Sequence, residues 1–160
     1  MDDDTAAQFP VEFTTDDMTF RTPEGWVEPE EQTAARDYQV ESPDGRAVVW
    51  TSKFDADDAL DTVVSFWLSN LNIEAGFPEE GIGRGRPEPI DILGADAALL
   101  SRVHNLDGAV TTDAYDGPVV GAFVTARVGD TNYFLNALAP DTPDNEKLVD
   151  DLVQTLRITK

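Results

Sequence analysis

Apolar and polar residues alternate along several stretches of this chain. Met18-Thr19-Phe20-Arg21-Thr22 has the two-residue period of a half-buried strand. Asp96 to His104 also predicts a strand, with Ala98 and Leu100 on one side and Leu99 and Val103 on the other. Val119 to Val128 predicts a further strand, and Gly129-Asp130 a tight hairpin turn into its partner, Asn132 to Leu138. Shorter strands are predicted at Phe9 to Phe13, Arg36 to Val40, Ala47 to Ser52 and Pro89 to Leu93. Ser42-Pro43-Asp44-Gly45 has the chemistry of a turn and joins two of these as a hairpin, with Val48 and Trp50 on one face. Thr14 to Asp17 and Asn105 to Gly108 also read as turns.

Two segments change period. Leu60, Val63, Val64, Trp67, Leu68 and Leu71 fall on one stripe at helical spacing, which predicts a helix over Asp55–Leu71. Asp55 stands as its N-cap, and Asp57, Asp58 and Asp61 lie near the positive end of its dipole. A second helix opens at Thr142, with Pro143 at its first position and Leu148, Val149, Leu152, Val153 and Leu156 on its apolar face. Arg157 and Lys160 are expected at its negative end. Glu74 to Pro89, rich in Gly, Arg and Pro, has no period and reads as a long exposed loop. Residues 1–8 read as a flexible acidic leader and 9–160 as a single domain. Hairpins joined to two amphipathic helices predict an α+β fold, a mainly antiparallel sheet packed between helices in an αβα sandwich.

Charge narrows the partners. The 160 residues hold 32 Asp and Glu against 11 Lys and Arg, a formal net charge of -21. The excess runs along the whole chain. Such a surface repels nucleic acid and anionic lipid and attracts cations. Hydrophobic residues at 41 % still suffice for a core. Asp outnumbers Glu and Arg outnumbers Lys, which fits either a high-salt habitat or a GC-rich genome. With no cysteine, disulfides, thiolate catalysis, zinc–thiolate sites and iron–sulfur clusters are excluded. With one histidine, His104, a catalytic triad or a two-histidine metal site on a single chain is excluded too. No apolar run approaches the roughly 20 residues that span a bilayer. Met1-Asp2-Asp3-Asp4 lacks the pattern of a signal peptide. A cytoplasmic protein and the mature part of an exported, lipid-tethered one both fit.

Candidate chemistry is sparse, and no cofactor is implied. The acids Asp55, Asp57, Asp58 and Asp61 invite a divalent cation. An EF-hand loop fails, because Ala59 and Leu60 stand where a ligand and Gly are required. Helix capping accounts for the same acids, and a weak divalent-cation site is the alternative. Gly81-Ile82-Gly83-Arg84-Gly85-Arg86 concentrates positive charge, but Pro87 and Pro89 oppose the helix that a phosphate loop needs. Arg84 and Arg86 therefore either meet nearby acids or contact a partner. Trp26, set in a turn, is the tryptophan expected to reach a surface. His104 is either a packed, half-buried residue or a contact. Paired carboxylates at hydrolase spacing are inevitable among 32 acids and carry little information.

Phe20-Arg21-Thr22-Pro23-Glu24-Gly25-Trp26, then Arg36-Asp37-Tyr38-Gln39-Val40, then Ser42-Pro43-Asp44-Gly45 stand in a telling order. With the helix, the long hairpin and the terminal Leu156-Arg157-Ile158, this resembles the PsbP-like superfamily. Its members include the extrinsic photosystem II protein, a Ran-binding nuclear import factor and many small bacterial lipoproteins. The nearest likeness is to uncharacterised lipoproteins of that group. The resemblance covers about residues 9–158 and implies an antiparallel sheet between helices. It brings no catalytic residue, and the photosystem protein's basic contacts do not transfer to so acidic a chain. Nor do these motifs imply Ran binding. The expectation is a non-catalytic, extracytoplasmic binding or interaction module at the cell envelope. It would have a protein partner, with Trp26, Arg84, Arg86 and His104 as contacts and a lipid tether in the full-length form. The alternatives are a small hydrolase or lyase using paired carboxylates, and a cytoplasmic protein of a salt-accumulating cell.

Overall fold

The longest strand-forming runs stand late in the chain, and there the three longest strands form. A computed structural model describes residues 8–15, 17–28, 38–55, 59–60, 62–65, 87–107 and 118–159. Strands β1 (Val11–Thr15), β2 (Met18–Thr22), β3 (Tyr38–Glu41), β4 (Val48–Asp55), β5 (Glu88–Pro89), β6 (Ala97–Asp107), β7 (Pro118–Val128), β8 (Thr131–Pro140) and β9 (Arg157–Ile158) are joined by a C-terminal helix, Pro143–Gln154, placed between β8 and β9. The main sheet is antiparallel with strand order β3-β4-β8-β7-β6-β5. A smaller sheet, β1-β2-β9, is antiparallel as well.

The register lays out two faces of the main sheet. On one, Val40, Val49, Ala137, Ala122 and Arg102 lie in a row across five strands. The alanines of this face let a helix approach closely, and Val149, Leu152 and Val153 of the C-terminal helix fill the space. Met18 and Phe20 of the small sheet join the same core. The other face carries the row Gln39, Trp50, Asn136, Phe123 and Ser101. Val63, from the helical residues 62–65, packs there on Phe123 and Phe134, whose rings stack at 5.6 Å. The fold class is therefore the expected one, α+β with a mainly antiparallel sheet.

Several boundaries differ from the sequence reading, each for a physical reason. Thr14 and Thr15 end β1 rather than forming a turn, because they pair with Thr19 and Met18. Asp55 is the last residue of β4, not a helix N-cap. It pairs with Thr131 of β8, and its carboxylate accepts a hydrogen bond from Thr131 Oγ1 at 3.0 Å. The remainder of the first predicted helix, 56–58, 61 and 66–71, lies outside the described residues. Residues 105–107 extend β6 instead of turning, since a register shift between Val103 and Leu106 absorbs an extra residue while pairing continues. Glu88, read as loop, and Pro89, read as the loop's end and the start of a strand to Leu93, pair with Leu100 and Leu99, and the strand stops at Pro89. Arg157 does not complement the helix dipole. It lies in β9 and pairs with Glu12 at 3.4 Å.

Candidate functional site

The first candidate surrounds Trp26. Gly25 has φ +93°, and a Cβ there would lie 2.8 Å from Pro43 Cγ, so the turn at Gly25 closes tightly onto the Pro43 turn. That contact seals Trp26, which is 7 % exposed and part of the core rather than a surface residue. Its remaining edge lines an open hollow of about 450 Å³, together with Pro43, Asp44, Arg46, Asn145 and Leu148. Asp44 Oδ1 accepts from Ser42 Oγ at 2.6 Å and from the Arg46 backbone N–H at 3.0 Å. Those bonds, Ser42's first, hold the Asp44 carboxyl below its ordinary value. A proton-donating acid beside Trp26 would need the opposite shift. Nearby, Tyr38 donates to Glu28. Burial first, and then that bond, raise its phenol above the ordinary range.

The second candidate is a groove between the C-terminal helix and the β5–β6 edge of the main sheet. Arg102 and Asp150 form an ion pair across it, both side chains partly exposed. On one side of the pair lies a hollow of about 230 Å³ lined by Val120, Gly121, Glu146 and Val149. On the other lies one of about 280 Å³ lined by residues that include Glu88, Ile90, Asp91, Ile92, Leu100 and Val153. The second hollow has an apolar floor, the first is mostly polar, and acids stand at the rim of both. Arg102 ends the cross-strand row that runs through Ala122, so its side chain reaches the helix at the margin of the core.

The sequence-predicted residues do not converge. Trp26 lies by the β3–β4 edge, bridged there through Val27 and Glu41. His104 is on β6, toward the opposite edge, half-buried, with its ring Nδ1 enclosed and unpartnered. Arg84, Arg86, Asp57, Asp58 and Asp61 lie outside the described residues. Asp55 is engaged with Thr131. Among the described residues no three acidic or histidine side chains converge as metal ligands. No helix among them is long and apolar enough to cross a membrane. The groove residues were missed, although a signal existed. Arg102 follows Ala98 and Leu100 on the inward parity of its strand, and Asp150 stands between the apolar Val149 and Val153 of the helix stripe. A charge at an apolar position marks either a pair or a site.

No family model and no curated protein sequence matches the chain. Solved structures do. The cyanobacterial PsbP (CyanoP) of Synechocystis sp. PCC 6803 matches with TM-score 0.59 at 13 % identity, over 92 % of this chain and 91 % of that one. The chain has the PsbP-like fold. LpqN of Mycobacterium tuberculosis, involved in cell envelope biogenesis, shares that fold with TM-score 0.57 at 17 % identity, over 89 % of this chain and 83 % of LpqN. The Ran-binding protein Mog1p of Saccharomyces cerevisiae shares it with TM-score 0.53 at 11 % identity, over 90 % and 91 %. Against a protein of Bacteroides thetaiotaomicron, this chain spans 48 % of the other's length. The PsbP-like likeness read from Phe20 to Trp26 and the turn at Ser42 is thus a likeness of fold.

Proposed function

We propose that this protein is a non-catalytic binding module that works outside the cytoplasm, held at the cell envelope by a lipid tether when full length, and that its partner is a protein. The observation that carries the reading is the groove beside the C-terminal helix. It is open, acidic at the rim and apolar at the floor of one of its two hollows, a form suited to another chain's side chains. Two proteins of the same fold lend support: Mog1p is Ran-binding, and LpqN is involved in cell envelope biogenesis. The edge of Trp26 that meets its own hollow, His104 and the Arg84 and Arg86 loop are proposed as further contacts, separate from the groove. Fractionation of the tagged full-length protein in its own cells tests the compartment, and recovery in the cytosol alone removes the envelope assignment. A photo-crosslinking residue at Gln154, on the groove, is expected to give one discrete protein adduct that the same residue at Asp130 does not. Equal labelling from both positions sinks the binding reading. Replacing Arg84 and Arg86 together by Ala should lower the adduct yield, and an unchanged yield removes that loop from the interface.

A further inference from the structure

The binding-module reading does not say what enters the groove, and the chemistry of the groove does. We infer that it receives a basic segment of a protein partner, with two long cationic side chains seated on either side of the Arg102–Asp150 bridge.

Charge decides the sign of the occupant. Glu88, Asp91, Glu146 and Asp150 line the two hollows, and Arg102, whose guanidinium is engaged by Asp150, is the basic residue among the lining. The surplus is negative, in a molecule whose net charge is -21. Nucleic acid and anionic lipid are repelled there.

The floor decides the shape. Ile90, Ile92, Leu100 and Val153 on one side offer apolar surface that a bare cation cannot use, and on the other Val120 and Val149, themselves buried, show only an apolar edge beneath Glu146 and Asp150. A Lys or Arg side chain uses both parts, laying its aliphatic stem on the floor and its charged end among the carboxylates. A divalent ion would want several oxygens on one point, and the described residues hold no such cluster.

The bridge decides the number. The Arg102–Asp150 pair stands between the hollows and lines both of them. One side chain does not fill both, so two enter, and the segment that carries them crosses over the pair. Electrostatic steering toward so acidic a molecule favours the encounter.

The test uses the intact chain with methyl-labelled Val and Leu and a capped ten-residue peptide of alternating Lys and Leu, titrated by NMR. Shifts are expected at Val149, Val153 and Leu100, with no response to the peptide carrying Glu in place of Lys. Glu146→Gln with Asp91→Asn should weaken binding at least fivefold. Asp130→Asn with Glu24→Gln removes the same charge from exposed sites elsewhere and should change it less than twofold. The methyl spectrum of each variant reports its folding in the same tube. Equal weakening by both double variants, or shifts that bypass the three named methyls, overturns the inference. A protein captured in cells that tolerates Glu146→Gln with Asp91→Asn overturns it too, while leaving the binding-module reading intact.

Discussion

At Gly94 the backbone has φ +89°, and a Cβ would stand 1.9 Å from the carbonyl oxygen of Ile158. The chain passes that close because Leu93 bridges to Arg157, and the Ile158 N–H donates to the Leu93 carbonyl at 2.8 Å. Gly129 is also left-handed, at φ +60°, but nothing lies within 4 Å of its missing Cβ. The two positions separate conformational strain from steric exclusion. Gly129→Ala should cost about 1 kcal/mol, the left-handed penalty alone. Gly94→Ala should cost at least about 3 kcal/mol, since a backbone oxygen cannot rotate away. Urea denaturation of both variants measures the difference, and equal costs would refute the close approach. Asp44 supplies a second residue-scale expectation. Its folded carboxyl is held below its ordinary value of 3.8. Its contribution to stability is then fully present above the unfolded value and is lost as pH falls through the folded one. The urea midpoint of the protein should exceed that of Asp44→Ala above pH 5, and the gap should close in acid. A gap that widens in acid would refute the assignment.

Single residues also decide where elements begin, and the C-terminal helix shows it. Thr142 is its N-cap, extended at φ -136°, with its hydroxyl accepting from the Asn145 N–H at 3.2 Å and Pro143 opening the first turn. This start was legible in the sequence because the cap is purely local chemistry. Thr142→Ala should cost about 1 kcal/mol, whereas Thr142→Ser should cost little. Urea midpoints of the two variants check it, and equal losses would mean the hydroxyl is not the cap. The helix end was not legible, since Arg157 answers to Glu12, 145 residues away, rather than to its own helix. The same division runs through the strands. β7, β8 and the turn between them follow from near-continuous apolar runs and Gly129-Asp130, both local signals. The continuation of β6 beyond His104 depends on a register shift against Val119 and Pro118, and the pairing of Glu88 with Leu100 depends on a distant strand. Asp55 was misplaced for the same reason. Its local sequence is that of a cap, but Thr131 across the sheet offers it a partner. The groove was hidden because Arg102 of the sheet meets Asp150 of the helix, 48 residues on, a juxtaposition that no window along the chain contains.

Across the whole molecule, a net charge of -21 sets two opposing dependences on salt. The described ion pairs, among them Arg21–Glu12, Arg157–Glu12 and Lys53–Asp17, lie at least partly in solvent. Each contributes only about 0–1 kcal/mol, and salt weakens it. The repulsion among the surplus acids is long-ranged, and it is screened as the Debye length falls from about 30 Å at 0.01 M to about 8 Å at 0.15 M. Repulsion involves every surplus charge and the pairs only a few, so added salt should stabilise the fold. The midpoint of thermal unfolding is expected to rise by several degrees between 10 mM and 500 mM NaCl. Association with a basic segment has the opposite sign, because the field that destabilises the fold is the one that draws the partner in. Its on-rate should fall at least tenfold over the same range. Calorimetry and stopped-flow mixing in one salt series measure both slopes. Unfolding that ignores salt would remove the reading of the surface as an adaptation to high salt. An association rate that ignores salt would mean that the acidic rim plays no part in recognition, however the apolar floor is used.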